Sequence, residues 1–517
     1  MRKLTPIQYV FFYVLLFLLL LMFSWWLFAD QVVDFFLNRS NIAILKYHQS
    51  LNPAERGFEY YRDLVGNVLL RFCFLWSFVF LLLLVFWHVI QKQWSAFLHD
   101  TASPYALSVF RIVAFGSLLL YTEPEVILKM SQLQVILIDP PLGWSWVLQT
   151  ITPNFNSLGL LLPIFQMCLV IALLGYRVRL FGSIAVLMGV WILGIPQFYG
   201  KINHYHHLLW FGMIASIAPS SEVWSLDARR GIKVVGAYVH RYYLRLILAS
   251  LFVIYFFAGC WKIIGGGSEW LWGDAARHQI ELQAVTLGLQ LPSVFCNYPI
   301  LYKLIALLTV IIEIFWGWWM LQKKSRYWMM AVTVMFHLSI LLIMDINFWI
   351  LPVFLLVFLP YHQFFKRVVV EDKSVETRDS DEFSKSHWSR WYLGIIMVFG
   401  FFHIDTWPFA VYPSFGNPVE PITWHVSLEY KRLDGFHKVN LIGDQKLRKW
   451  LPKTRLLGLH KQLLSKDPKS ISKLKALDRF YCEALSLNMG HQRTYIKRKK
   501  NITTGEILDS CVLLDLP

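Results

Sequence analysis

Long apolar runs alternate with short polar segments along most of the chain. Several runs hold about 20 residues, enough for an α-helix to cross a hydrocarbon core about 30 Å thick. Backbone amides in lipid must find partners within the protein, which leaves helices or a closed barrel, and unbroken runs without period-two alternation favour helices. The apolar runs cover residues 7–29, 72–90, 106–121, 158–175, 180–195, 207–218, 242–264, 301–321, 328–344, 349–359 and 391–403.

The last hundred residues have a different pattern. Residues 426–440 alternate around the turn pair Asp434-Gly435 and predict a β-hairpin. Asp467-Pro468 is typical of a helix start, and the helix should run to about Met489. A further strand pair is predicted over 494–500 and 507–514. The fold class predicted is therefore an all-α polytopic transmembrane bundle of about 9–11 helices with a small C-terminal α+β extramembrane domain.

The loop charges predict how this bundle is threaded. The first run follows Met1-Arg2-Lys3 and lacks a cleavage site, so it is expected to be a retained helix with its start in the cytoplasm. Alternate crossing then places the arginine- and lysine-rich loops in the cytoplasm, as the positive-inside rule requires. The predicted units are an N-terminal transmembrane hairpin (1–101), a membrane core (102–365), a cytoplasmic linker (366–390), a last transmembrane helix (391–404) and an extracytoplasmic domain (405–517).

Composition adds limits on partners. The chain is 56% hydrophobic and carries a net charge of +16, which in a membrane protein indicates cytoplasmic loops and anionic lipids. Membrane lipids are thus the expected partners, and nucleic acid is not. Among the cysteines, Cys482 and Cys511 both lie in the tail and could form a disulfide in an oxidising compartment.

Several ionisable residues interrupt the apolar runs, and such residues are costly in a membrane. Lys262 closes one run, where it could simply snorkel to the interface; if it is buried instead, the neutral amine is favoured and can act as a base. Glu313 could pair with a buried cation such as Arg111. His337 could hydrogen-bond across a helix pair.

A histidine cluster raises the question of a metal. On a helix His204 and His207 share a face, but His206 does not, and no nearby cysteine or Glu-x-x-His motif supports zinc. No metal is therefore predicted. The cluster could equally be part of an interfacial belt of amphipathic rings.

Three segments resemble the membrane domain of vitamin K-dependent γ-carboxylase and its bacterial relatives, the HTTM family, over roughly residues 102–360. The first segment runs from Ser103 to Gly116 and contains Arg111, and the second runs from Asn203-His204 to Trp224-Ser225-Leu226-Asp227. The third is Ile254-Tyr-Phe-Phe-Ala-Gly-Cys-Trp-Lys262, followed by Glu269-Trp-Leu-Trp-Gly273. Phe336-His337 is a weaker match. The N-terminal hairpin has no counterpart in the animal enzyme, and the tail is smaller than the animal lumenal region.

The resemblance implies a function and a site. The catalytic residues would be Lys262, His204 and His337, with Lys262 deprotonating reduced vitamin K, a menaquinol-type quinol. Oxygen would convert the quinol to an epoxide through a strong base, and carbon dioxide would add to a glutamyl side chain of a peptide on the extracytoplasmic side. Asn203, Tyr255, Trp270 and Arg111 would bind the quinol. A bacterial inner membrane is expected, with the endoplasmic reticulum as the alternative.

Two other functions fit the same sequence. One is a non-catalytic HTTM protein that binds lipid or a partner protein through its external tail. The other is a transporter, which the lack of paired broken helices or inverted repeats disfavours.

Overall fold

A computed structural model gives the fold over residues 5–39, 57–97, 102–200, 202, 205–231, 237–287, 295, 297–365, 387–410, 419, 421–432, 435–464, 470–487, 492–504 and 506–516. Within these residues, eight helices are long and apolar enough to cross a membrane. The chain is thus a multi-pass integral membrane protein. Its long helices are α1 (Pro6–Asp34), α2 (Phe58–Ala96), α3 (Pro104–Tyr121), α6 (Phe155–Leu173), α7 (Val178–Ile192), α9 (Ala237–Trp261), α12 (Ile300–Leu321) and α13 (Arg326–Met344).

Shorter helices complete the bundle and its connections. Three of them fall on predicted apolar runs: α8 (His207–Ile217), α14 (Ile350–Val353), which continues as a 3₁₀ helix over Phe354–Phe358, and α16 (His387–Phe401). The others are α4 (Pro124–Ser131), α5 (Ser145–Thr150), α10 (Ser268–Leu271), α11 (Ala275–Leu287) and α15 (Tyr361–Phe364). The predicted fold class is confirmed, and most of the predicted linker lies outside the described residues.

The N-terminal hairpin packs on the bundle through aromatic side chains. Helices α1 and α2 pack along each other and leave most of their apolar surface exposed, as lipid-facing helices do. Trp76 of α2 is one of its few buried residues, because it is only 3% exposed and its ring lies against Phe257 and Phe401. The hairpin is therefore anchored to α9 and α16. Helix α2 starts well before the predicted run because its polar first turns continue the helix outside the apolar stretch.

A buried arginine holds backbone segments together at one end of the bundle. The Arg111 side chain is fully buried and donates hydrogen bonds to the carbonyl oxygens of Leu173 (3.2 Å), Ser220 (2.5 Å) and Trp224 (2.6 Å). Gly175 makes room for it, since its φ is +76° and an added Cβ would lie 2.9 Å from the Arg111 Cζ atom. Glu313 does pair with a buried cation, but that cation is Lys262 and not Arg111. The Arg111 guanidinium is bound by carbonyls at the end of α6 and in the α8–α9 connection instead.

The C-terminal tail forms a four-stranded antiparallel sheet flanked by helices. The strands are β1 (Ile422–Arg432), β2 (Gly435–Asn440), β3 (Arg493–Asn501) and β4 (Ile507–Leu516), in the order β2-β1-β3-β4. The helices are α17 (Gln445–Trp450), α18 (Lys453–Leu464) and α19 (Ser470–Leu485). Both strand pairs and α19 were predicted, whereas α17 and α18 were not, and Asp467-Pro468 lies outside the described residues. Cys482 is buried, Cys511 is exposed, and both are free thiols, so they form no disulfide here.

The tail docks onto one end of the bundle through ion pairs and hydrogen bonds. Arg448 Nη2 lies 2.9 Å from Asp345 Oδ2 at the end of α13, and Arg455 Nη1 donates to the Pro196 carbonyl at 3.0 Å. Asn440 Nδ2 donates to the Thr286 carbonyl of α11 at 2.8 Å. The contacts come from separate elements of the tail and reach separate connections of the bundle. The tail and the bundle therefore share an extended interface.

Two histidines make the stability of the tail dependent on pH. Burial, and secondly Lys500, lowers the pKa of His425 from 6.5 to about 4, and burial, and secondly His425, lowers the pKa of His460 from 6.5 to about 3. Between pH 7 and pH 5 the unfolded chain therefore takes up protons that the folded tail does not. We expect each histidine to lower the free energy of unfolding by at most about 2 kcal/mol over this interval.

Hydrogen exchange of the tail amides, corrected for the intrinsic effect of pH, measures this loss. The variant His460→Leu should show a weaker pH dependence than the parent chain. Protection that is equal at pH 7 and pH 5 in the parent chain would contradict the prediction.

Candidate functional site

Lys262 stands at the point where α9 stops being an α-helix. Helix α9 ends at Trp261, and Lys262–Gly266 forms a π-helical turn. The lysine is only 4% exposed, so it does not snorkel to water. Its Nζ atom lies 2.8 Å from Oε1 and 2.7 Å from Oε2 of Glu313, which is 6% exposed. Lys262 and Glu313 therefore form a buried, bidentate ion pair between α9 and α12.

Gly259 brings the two members of this pair together. A Cβ atom added at Gly259 would lie 2.8 Å from Ile314 Cγ1, 3.0 Å from Glu313 Cβ and 3.2 Å from the Ile314 backbone nitrogen. Helices α9 and α12 are thus in close contact one turn before Lys262. This close contact of the two helices explains the glycine of the Ala258-Gly259 element. It also helps to set the distance between the two charges.

The ion pair lies in the wall of an apolar cavity of about 540 Å³ between α11, α12 and α13. Trp270 also lines the cavity, and the Lys262 Nζ atom lies 5.4 Å from the centroid of its ring. Polar groups are few among the lining residues, which are Lys262, Trp270, Ala276, Gln279, Ile280, Ile305, Leu308, Thr309, Ile312, Glu313, Ala331, Val332, Met335, Phe336, Ser339, Ile340, Ile343 and Met344. This combination of an apolar wall and a few polar groups is typical of small-molecule sites.

The cavity reaches the lipid-facing surface of the bundle. Leu308 of α12 and Met335 of α13 both line it, and they are 54% and 63% exposed. A lipid-soluble molecule can therefore enter between these two helices without passing through the tail.

Tyr255 and His337 form a second polar pair beside the first. The Tyr255 hydroxyl lies 2.7 Å from His337 Nε2, and the tyrosine ring stacks on Trp316 at 4.7 Å between centroids. His337 is buried, and its Nδ1 atom has no hydrogen-bond partner among the described residues. Its neighbour Phe336 lines the cavity. The pair therefore lies behind the cavity wall, where it links α9 to α13.

The structure sorts the predicted site residues into three groups. Lys262 and Trp270 line the cavity, and Tyr255 and His337 lie behind its wall. Arg111 binds carbonyls at the end of α6 and in the α8–α9 connection, which leads into the start of α9, whereas Lys262 follows the other end of α9. Asn203 and His204 lie outside the described residues.

Sequence reasoning missed the partner of Lys262 and one wall of the cavity. Glu313 was noticed as an intramembrane carboxylate, but its position in the sequence does not say which cation it meets. Helix α11 was not predicted, because Arg277, His278 and Glu281 interrupt its apolar residues. Its start just after Gly273-Asp274 was the available signal.

A proton can move from one member of the ion pair to the other without changing the net charge of the pair. An ammonium beside a carboxylate in a dry cavity can pass its proton to the carboxylate, which leaves a neutral amine and a neutral acid. Such a neutral amine could accept a proton from a ligand hydroxyl. The sequence suggested a base produced by burial alone, and the structure adds Glu313 as a carboxylate in direct contact with the amine.

A substitution at Gly259 tests the role of the close approach. Gly259→Ala should push α12 away from α9, cost about 1–3 kcal/mol of stability as overpacking does, and weaken ligand binding in the cavity. Thermal unfolding in detergent and ligand titration measure the two effects. Gly159→Ala is the matched control, because an added Cβ there meets nothing within 4 Å. Equal behaviour of the two variants would contradict the proposed packing role.

Within the described residues, no group of three or more His, Cys, Asp or Glu side chains could hold a metal ion. His204 lies outside these residues.

Comparison with known proteins places the bundle in a family. A family model described as the HTTM domain matches residues 99–364, a little more than half of the 517 residues. The match begins just before α3 and ends with α15, so it includes Lys262, Glu313 and the cavity and leaves out the N-terminal hairpin, α16 and the tail. No curated protein and no solved structure matches the chain. The resemblance drawn from the three sequence segments is confirmed, and the chain belongs to the HTTM domain family.

Proposed function

We propose that this protein is a membrane enzyme that oxidises a reduced, lipid-soluble quinone, with the Lys262–Glu313 pair as its base. HTTM domains occur in vitamin K-dependent carboxylase-type membrane proteins. The observation that carries the proposal is the position of the pair, which is buried and lies in the wall of an apolar cavity that reaches the lipid-facing surface. Burying a carboxylate and an ammonium in such a place costs free energy. Their presence there therefore favours a functional role.

The cavity suits a quinol in size and character. Its volume of about 540 Å³ falls in the usual range of small-molecule sites, roughly 300–1,000 Å³. The apolar walls from α12 and α13 suit the ring and the first part of an isoprenoid chain, and the exposed Leu308 and Met335 mark the way to the lipid. Lys262 and Glu313 provide the polar atoms that a quinol hydroxyl requires.

The chain's own residues would handle the first proton. Lys262 Nζ gives a proton to a Glu313 oxygen along one of the short hydrogen bonds of the pair and then accepts one from the ligand hydroxyl. The resulting ammonium stays beside the ligand oxygen and stabilises negative charge there. Trp270 provides an aromatic face within reach of the same ammonium. The apolar wall keeps water away from these groups.

The bound quinol would supply the reducing electrons and, with oxygen, the strong base that the family resemblance implies. Further steps are proposed on that resemblance alone: epoxide formation, and addition of carbon dioxide to a glutamyl side chain presented from the extracytoplasmic side, with His204 and Asn203 taking part. We further propose a bacterial inner membrane as the location, with the endoplasmic reticulum as the alternative.

The direct experiment supplies membranes containing the protein with vitamin K hydroquinone, oxygen, carbon dioxide and a glutamyl peptide. Formation of epoxide in the parent chain, and its loss in Lys262→Ala, supports the proposal; γ-carboxyglutamate in the peptide extends it to carboxylation. If neither product forms and Lys262→Ala changes nothing, the proposal fails for these substrates.

The alternative, a non-catalytic protein that binds through its tail, gives the opposite pattern. In that case Lys262→Ala leaves the cellular phenotype intact, and deletion of residues 405–517 abolishes it.

A further inference from the structure

A second cavity lies at the tail, and all of its lining residues except Val285 of α11 lie outside the family match. It measures about 260 Å³ and lies between the sheet, α18 and the end of α11. The lining residues are Val285, His425, Val426, Ser427, Lys438, Asn440, Ile442, His460, Arg498 and Lys500. Its polar members come mostly from one face of the sheet, because β1 residues 425 and 427 stand opposite Arg498 and Asn440 in the two ladders.

Among the described residues, more cationic than anionic side chains lie in and around this cavity. Arg498 is paired, since its Nη2 atom lies 2.5 Å from Glu429 Oε1 and its Nη1 atom donates to the Ser427 hydroxyl. No described carboxylate forms an ion pair with Lys438 or Lys500, and Glu429, which stands opposite Lys438 in the ladder, is paired with Arg498. Partial burial, followed by Arg498, lowers the pKa of Lys438. The cavity therefore has a surplus of positive charge at close quarters.

A buried histidine in the wall also lacks a partner. His460 is 5% exposed, and neither of its ring nitrogens has a hydrogen-bond partner among the described residues. His425, by contrast, lies 2.9 Å from the Thr423 hydroxyl through its Nε2 atom. A buried polar group without a partner is costly, and a ligand in the cavity would remove that cost.

We propose that this cavity is an anion-binding site that takes a carboxylate or phosphate group. Lys438 and Lys500 supply the charge, Arg498 supplies a guanidinium held in place by Glu429, and His460 supplies the unused hydrogen-bonding group. A volume of about 260 Å³ holds one such group with several waters, since a water occupies about 30 Å³ in the liquid. The site stands independently of the function proposed for Lys262.

The test uses the full chain in nanodiscs of neutral phosphatidylcholine, titrated with inorganic phosphate or succinate by calorimetry. The double variant K438Q/K500Q removes the unpaired charges, and K446Q/K449Q removes two exposed lysines of α17 outside the cavity. We expect saturable binding in the parent chain, at least tenfold weaker binding in the first variant, and no change in the second.

Four further results decide whether the site exists and what it binds. Tighter binding of phosphate or of succinate identifies the chemical group, and competition by nanodiscs containing phosphatidylglycerol identifies a lipid headgroup as its source; each supports the site. Absence of saturable binding for both probes overturns the proposal. Equal weakening in the two double variants overturns it as well, because binding would then follow net charge alone.

Discussion

Lys262→Met should abolish quinol oxidation. A positioned general base contributes roughly 10²–10⁴-fold to a rate, and methionine keeps the apolar part of the side chain while removing its nitrogen. The variant also leaves the buried Glu313 without its cation, which costs roughly 3 kcal/mol or more while the carboxylate stays charged. Oxygen-dependent epoxide formation in nanodiscs measures the first effect, and thermal unfolding measures the second.

A double variant separates the two effects. Lys262→Met with Glu313→Gln removes both charges, so it should recover most of the lost stability without recovering activity. Lys324→Ala is the matched control for the loss of one lysine, because Lys324 is exposed in the turn after α12. If the double variant regained both stability and turnover, the pair would have a structural role only.

Arg111→Leu should strongly destabilise the bundle. Three backbone carbonyls, from Leu173, Ser220 and Trp224, would lose the guanidinium as a donor, and the Ser220 carbonyl would keep the Ser108 hydroxyl at 3.2 Å. Acceptors left without a partner cost about 1–3 kcal/mol each, so the two remaining carbonyls predict a loss of about 2 kcal/mol or more. Folded yield and thermal unfolding in detergent measure it.

A conservative variant distinguishes this structural role from quinol binding. Arg111→Lys keeps the positive charge, but a single ammonium cannot reach the three carbonyls that the forked guanidinium binds. This variant should therefore also lose stability. Whatever folded protein remains should keep the quinol KM of the parent chain. An increased KM with unchanged stability would instead indicate that Arg111 binds the quinol, as the sequence resemblance implied.

The sequence was sufficient for the membrane-length helices, because apolar runs of that length are local signals, but not for α11, α17 and α18. It was also sufficient to select Lys262, since a lysine at the end of an apolar run is conspicuous. It could not pair the buried charges. Arg111, Lys262 and Glu313 are all ionisable groups within apolar runs, and which of them meet depends on how α3, α9 and α12 pack.

The cavities were less predictable still. A cavity is formed by residues from several elements, and neither wall of the first one shows a distinctive pattern of its own. The tail cavity combines strand residues that look like ordinary solvated lysines, such as Lys438 and Lys500, with one buried histidine of α18. Only the ladder register and the docking of α11 bring them to one place.

Helix α11 has one further consequence. Its residues Ala276, Gln279 and Ile280 line the bundle cavity, and Val285 near its end lines the tail cavity. A displacement of this single helix alters both spaces at once. Thermodynamic reciprocity then requires that an anion which changes quinol affinity by moving α11 has its own affinity changed by the same factor when the quinol binds. The short helix is thus the natural place for communication between the membrane and the compartment that the tail faces.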